Sequence, residues 1–369
     1  MERRENFTVG FIGLGLIGGS IAKNVRRVYP NYHIIGYDTD PATVLAAKEE
    51  GTITVAAQAV DESFSPCDYI FLCAPVNYNL EYLKILRPLL KEGCILTDVG
   101  SVKGSIHRAI HELDMDAIFI GGHPMVGSEK AGFSHGSDRL IENAYYFITP
   151  TDAVPEQEVT DFSQFIEELG ALTIIMQPER HDSITASISH VPHIIAAELV
   201  HLVKNMDDEN GMLKELAAGG FKDITRIASS SPTVWEQISL ENVDNIRGLL
   251  IQAISDLQHI VDELGNKNGD FINQYFKEAG DYRASVPDNA KGLMQKSYEI
   301  FVDIPDEPGT LAGTTTYLAL NNISIKNVGI IHNREFEEGV FKIVLYDEES
   351  AKKACRVLRD RNYEVHIRN

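Results

Sequence analysis

Near the N-terminus an apolar run, Thr8-Val9-Gly10-Phe11-Ile12, breaks into Gly13-Leu14-Gly15-Leu16-Ile17-Gly18 and then opens a helical pattern. That spacing suits a cradle for the pyrophosphate of a dinucleotide. The first glycine permits a tight turn, the second lets phosphates approach the backbone, and the third lets the helix pack closely on its strand with the anion at the helix N-terminus. A second strand pattern, His33 to Tyr37, ends in Asp38, about 20 residues past the last glycine, where a carboxylate accepts hydrogen bonds from an adenosine ribose. The same carboxylate repels a 2′-phosphate, and Thr39-Asp40-Pro41 offers no arginine to hold one. The expected cofactor is therefore NAD rather than NADP.

Four further clusters concentrate polar chemistry: Asp98 to Lys103, Gly122 to Lys130, Ser189 to His193, and Gly219 to Arg226, the last followed by Trp235. The first two directly follow strand patterns, and in a doubly wound sheet ligands bind beyond the carboxyl ends of the strands. A histidine such as His123 titrates near neutral pH and suits proton transfer. Arg226 carries a planar fork that can hold a carboxylate bidentately. Each has a plainer alternative: His123 bracing a loop, Arg226 pairing with Asp223 on an exposed helix face, Ser101 capping a helix, Trp235 packing. His107 and His111 stand at helical i,i+4 spacing but without an HExxH context, so no metal is expected. Gly132-Phe133-Ser134-His135-Gly136 fits G-x-S-x-G, yet no strand pattern precedes it, as a hydrolase nucleophile elbow requires.

The elements that must position these residues alternate in the first half of the chain. Phe7–Ile12, Ile34–Tyr37, Tyr69–Cys73, Ile95–Val99, Ala117–Gly121 and Tyr146–Thr149 read as strands with helical stretches between, which predicts a parallel α/β sheet of Rossmann type, closed by a helix over 155–169 and a strand over 173–176. From Pro178 the β signals vanish. Ser187–Lys204, Met212–Ala218 and Ser239–Leu264 carry apolar residues at helical spacing, predicting an all-helical middle domain whose segment 245–264 is apolar on more than one face. Asp281–Lys296 reads as a linker. The remainder gives strand, helix, strand, strand, helix, strand, a ferredoxin-like βαββαβ domain. The expected division is 1–177, 178–285 and 297–369.

The 369 residues have room for two or three domains, and a formal charge of −21 disfavours nucleic acid and anionic membranes as partners. Cys67, Cys73, Cys94 and Cys355 form no CxxC or zinc spacing and read as reduced core thiols of a cytoplasmic protein. The N-terminal Met1-Glu2-Arg3-Arg4-Glu5 lacks a signal-like apolar core, and no segment reads as long and apolar enough to span a bilayer.

GLGLIGGS, DVGSVK, GGHPMVGSEKAG, SHVPH and GFKDITRIA with a later tryptophan occur in one order along nearly the whole chain. In that order and context the chain resembles the prephenate dehydrogenases of tyrosine biosynthesis, in the form that ends in an ACT regulatory domain. Asp303-Ile304-Pro305-Asp306-Glu307-Pro308-Gly309-Thr310-Leu311 is similar to the opening of such a domain. The resemblance implies oxidation of prephenate at C4 with loss of CO2 from C1, giving 4-hydroxyphenylpyruvate. It implies His123 as proton acceptor and Ser101 as the serine near the substrate hydroxyl and the cofactor. Arg226, His193, Ser189 and Ser128 would bind substrate. Glu129, Asp223 and, as a further candidate, Asp182 would surround Arg226. Gly13, Leu14, Gly15, Leu16, Ile17, Gly18, Asp38, Ala74, Pro75 and Ser101 would contact NAD. A homodimer and a tyrosine effector, bound at the ACT domain or in the active site, are also implied. Arogenate dehydrogenase, and a noncatalytic NAD-responsive amino-acid sensor, stand as alternatives.

Overall fold

The computed structural model describes residues 7–127, 130–286, 298–304, 307, 309–331, 339–361 and 363–367. The chain divides into two compact units, 1–292 and 293–369.

The first unit opens with β1 (Thr8–Ile12), α1 (Leu16–Val28), β2 (His33–Tyr37), α2 (Pro41–Glu49), β3 (Val55–Ala56), β4 (Tyr69–Leu72), α3 (Val76–Leu86), β5 (Ile95–Asp98) and α4 (Gly104–Glu112). These strands form one sheet in the order β3-β2-β1-β4-β5, every pairing parallel. All five residues of β1 are buried, as expected for a central parallel strand covered on both faces. Val9 and Phe11 join the core that includes Ile21 of α1 and Phe162 and Phe165. Ile12 joins the opposite core, with Leu83 of α3 and Ile106 and Ile110 of α4.

A second sheet follows: β6 (Ile120–Pro124), β7 (Tyr145–Pro150), α5 (Glu156–Glu168) and β8 (Leu172–Ile175). A single parallel bridge, Leu96 to Phe119, links it to the first sheet. Here the all-parallel expectation fails, because β7 runs antiparallel to β6. A parallel return needs a crossover, usually a helix, and the described part of this connection holds only a 3-10 turn, Phe133–His135. With α5 as its crossover, β8 is parallel to β7.

The helical part comprises α6 (Pro178–Thr185), a π-helical turn (Ala186–His190), α7 (Val191–Met206), α8 (Met212–Leu216), α9 (Gly220–Thr225), α10 (Pro232–Glu241), α11 (Val243–Gly265) and α12 (Gly269–Ser285). The π turn sits just ahead of Pro192, which has no N–H to continue the ladder. Against expectation, the continuous run Pro178–Met206 is long and apolar enough to cross a bilayer by length and composition. Ile188, Leu202 and Met206 on this run and Ile251, Ile254, Leu257 and Val261 on α11 are exposed, an apolar surface of the kind that marks an interaction face. The expected linker begins late: α12 continues to Ser285, and residues 287–297 lie outside the described residues.

The second unit is β9 (Tyr298–Ile304), α13 (Thr310–Leu320), β10 (Ile325–Ile331), β11 (Gly339–Leu345), α14 (Glu348–Arg359) and β12 (Glu364–Ile367), in one sheet ordered β10-β11-β9-β12 with every pairing antiparallel. This is the expected ferredoxin-like arrangement. Alternate residues Ile300, Val302 and Ile304 of β9 pack with Leu318 of α13 and Leu358 of α14. Gly309 precedes α13 at φ +95°, a left-handed conformation that favours glycine. Pro308 lies outside the described residues.

Candidate active site

At the end of β1, Gly13 adopts φ +98° and donates its N–H to Tyr37 O at 2.8 Å. A Cβ on Gly13 would fall 2.7 Å from the Cys73 carbonyl carbon, and one on Gly18 would fall 2.2 Å from Gly13 O. The protein's own packing therefore demands the first and third glycines. Gly15 differs: nothing lies within 4 Å of the Cβ it lacks, so the α1 N-terminus faces open space. Leu16 and Ile17 form the first turn of α1, while Ala74 and Pro75 follow β4, with Ala74 N against the Gly13 turn. Asp38 accepts Leu14 N–H at 2.7 Å and Asp40 N–H at 2.9 Å, which leaves about two of its four acceptor sites for a ribose. An open helix N-terminus beside a carboxylate at the end of β2 fits a dinucleotide.

Below this cradle is a buried ion pair. Lys103 Nζ donates to Asp98 Oδ2 and, at 2.7 Å, to Gly122 O, and both side chains are essentially inaccessible. Burial pulls the Lys103 pKa down and Asp98 opposes that shift. Asp98 also accepts Gly100 N–H at 2.9 Å and Gly122 N–H at 3.1 Å. The pair thus ties the end of β5 to β6 and sets the strand that carries His123.

His123 lies on β6 with Nδ1 2.8 Å from Nε2 of His181, and Nδ1 of His181 lies 2.8 Å from Asp182 Oδ1. Asp182 accepts the N–H groups of Lys103 and Gly104, each at 2.8 Å. It therefore caps α4 from another element, and the capping role considered for Ser101 goes to Asp182. Burial alone would raise the Asp182 pKa, but the His181 bond and the two backbone N–H groups bring it below the ordinary range. Burial, then His181, Lys103 and His190, hold His123 well below the usual histidine value. His181 is lowered too, mainly by burial.

On the helical side, the His193 ring stacks on Trp235 at 3.9 Å and 25°, while His190 meets Trp235 edge-on at 6.0 Å. Asn242 Nδ2 donates to Asp182 O at 2.8 Å and approaches His190 Nδ1 at 3.1 Å, and burial lowers the His190 pKa to about 4. Burial also lowers His193, with Arg226 nearby acting in the same sense. Arg226 is exposed at the end of α9, Asp223 is exposed on that helix, and Ser189 and Ser101 are partly exposed. Ser128 and Glu129 lie outside the described residues. His107 faces Thr149 Oγ1 at 3.1 Å and His111 faces Asp116, so the two rings engage different partners.

Residues 21–175 match the nucleotide-binding domain of prephenate dehydrogenase, and residues 177–278 match its dimerization domain. Over 361 residues the chain is 36% identical to the prephenate dehydrogenase of Bacillus subtilis, covering 97% of each. The chain belongs to the prephenate dehydrogenase family. It is accordingly an NAD-dependent oxidoreductase. A solved prephenate dehydrogenase from A. aeolicus, in complex with hydroxyphenyl propionate and NAD+, superposes with TM-score 0.72 at 32% identity, covering 76% of this chain and 98% of that one. An arogenate dehydrogenase from Synechocystis superposes with TM-score 0.69 at 28% identity, covering 76% and 100%.

Sequence motifs do not single out His181 or Asn242, and they put Asp98 and Lys103 in one polar cluster without pairing them. The available signal for His181 was an adjacent His-Asp pair opening a helix that also carries His190 and His193. Nothing local separates such a pair from an ordinary solvated helix start, because its burial comes from β6 and the start of α4.

Proposed function

We propose that this chain converts prephenate to 4-hydroxyphenylpyruvate by NAD-dependent oxidative decarboxylation, with His123 as the base. The observation that carries this is His123 at the carboxyl end of β6, one ring nitrogen engaged by buried His181, in the nucleotide-binding unit whose Gly15 turn stands open. Gly13–Gly18, Asp38 and the Ala74-Pro75 turn would hold NAD, which when bound would accept the hydride leaving C4. His123 takes the C4 hydroxyl proton as the C4–H bond breaks, and Ser101 hydrogen-bonds that oxygen. The C1–carboxylate bond then breaks, its electron pair completes the aromatic ring, and the C4 oxygen takes its proton back from His123. Arg226 and His193 hold the substrate carboxylates, with Ser189 lining the pocket and Asp223 bordering the arginine, and Ser128 and Glu129 are proposed as further substrate-binding residues. Initial rates of NADH formation with prephenate and with arogenate, measured side by side, test the substrate. A higher kcat/KM for prephenate is expected, and turnover of arogenate alone contradicts the proposal.

Arg226→Ala should raise KM for prephenate by about tenfold to a hundredfold, the scale of a lost charge-assisted bond, and leave KM for NAD unchanged. Unaltered KM for prephenate would remove Arg226 from the site.

The working division is nucleotide-binding residues 1–177, a helical domain 178–285 and an ACT-type domain 297–369. The exposed apolar faces of the helical domain fit a homodimer interface, and the cytoplasm is where NAD and reduced thiols coexist. Tyrosine is the proposed effector, bound by the C-terminal unit. Inhibition then requires tyrosine to bind one conformational state better than another. A chain ending near residue 296 should keep turnover and lose tyrosine inhibition, whereas unchanged inhibition would put tyrosine in the active site.

A further inference from the structure

The contacts behind His123 extend the proposed reaction to two residues that do not touch substrate. This inference rests on His123 acting as the base. We propose that Asp182 and His181 are positioning residues that fix Nε2 of His123 as its basic nitrogen and share the positive charge when that nitrogen takes a proton.

An ionised carboxylate only accepts hydrogen bonds, and that of Asp182 accepts Lys103 N–H, Gly104 N–H and Nδ1 of His181, each at 2.8 Å. Nδ1 of His181 must therefore carry a hydrogen, and in the neutral ring Nε2 is left as an acceptor. That Nε2 lies 2.8 Å from Nδ1 of His123, so Nδ1 of His123 must donate. The lone pair of His123 is thereby left on Nε2, the nitrogen not engaged by His181. A carboxylate two hydrogen bonds removed thus selects the reactive nitrogen, the role that the outer carboxylate plays in an acid–histidine–nucleophile triad.

The charged and titratable groups facing the two rings are Asp182, His190 of the π turn, Lys103 ahead of α4 and Asp98 at the end of β5, with Glu241 of α10 acting on Lys103. The Lys103 ammonium opposes a second positive charge on His123. A route for that charge toward a carboxylate is therefore valuable. When Nε2 of His123 gains the substrate proton, the Nδ1 hydrogen can move to Nε2 of His181, whose own Nδ1–H already points at Asp182. The imidazolium then lies next to a carboxylate. When the C4 oxygen takes its proton back, His181 returns a hydrogen to Nδ1 of His123 and both rings regain their starting tautomers. No proton is lost or gained over the cycle.

The full-length protein labelled with 15N-histidine provides the test, with the His123 ring nitrogens identified as those missing from His123→Asn. In the wild type, without substrate, Nδ1 should be protonated and Nε2 free. His181→Gln can still accept from Nδ1 through its side-chain carbonyl but cannot take up a proton. It should keep the tautomer, lower kcat by about tenfold and leave both KM values unchanged. His181→Leu has no acceptor; it should lose the tautomer preference and lower kcat by about a hundredfold or more, the scale of a disabled general base. A wild-type His123 carrying hydrogen on Nε2 overturns the pairing. Because the tautomer is read without turnover, that failure is distinct from failure of the base assignment, which wild-type turnover by His123→Asn would show and which would overturn the charge-sharing half.

Discussion

His123→Asn is expected to lower kcat by about a hundredfold or more while leaving the fold and most substrate binding intact, the usual scale for loss of a general base. Asparagine keeps a polar group at the end of β6 but cannot take up the hydroxyl proton. The pH profile should carry the same signature. A base works in its neutral form, and burial, His181, Lys103 and His190 hold His123 well below the ordinary histidine pKa of 6.5. The neutral form therefore persists to lower pH, so the acid limb of kcat/KM should appear well below pH 6.5 in the wild type and vanish in the variant. Near-wild-type turnover in steady-state assays would remove His123 from the chemistry.

The largest stability effect is expected at Lys103. Lys103→Met leaves the Asp98 carboxylate buried without its cation and the Gly122 carbonyl without a donor. Breaking a buried pair by removing one partner costs about 3–5 kcal/mol. Urea denaturation of the full chain measures it. Adding Asp98→Asn should recover part of the loss, because no uncompensated charge then remains. A single variant as stable as the wild type would show that the pair does not tie β5 to β6.

The cradle was legible because its constraints are local. Gly13 needs a positive φ, Gly18 needs a side chain's absence, and Asp38 ends the next strand. The ferredoxin-like unit was legible from the alternation of Ile300, Val302 and Ile304 and the amphipathic run of α14. His123 stood out through the residues around it. The rest depends on contacts distant in sequence. The direction of β7 follows from a connection without a crossover helix, and a strand's residues read alike in either direction. The partnership of Asp182 with His181, Lys103 and Gly104 joins positions 79 and 78 residues apart to an adjacent one. The two orphan N–H groups at the start of α4 hold the Asp182 carboxylate, and no pattern local to Asp182 announces that partnership. The exposed apolar residues of the run Pro178–Met206 show the same limit: they mark a face to be covered, and composition alone does not say by what.

Hydride transfer from C4 and loss of CO2 from C1 should be coupled one to one in this chain. Product stoichiometry in a reaction of the full-length protein with NAD and limiting prephenate tests that coupling most directly. One NADH, one CO2 and one 4-hydroxyphenylpyruvate are expected for each prephenate consumed. Prephenate that stays intact, or CO2 released without an equal amount of NADH, would contradict it.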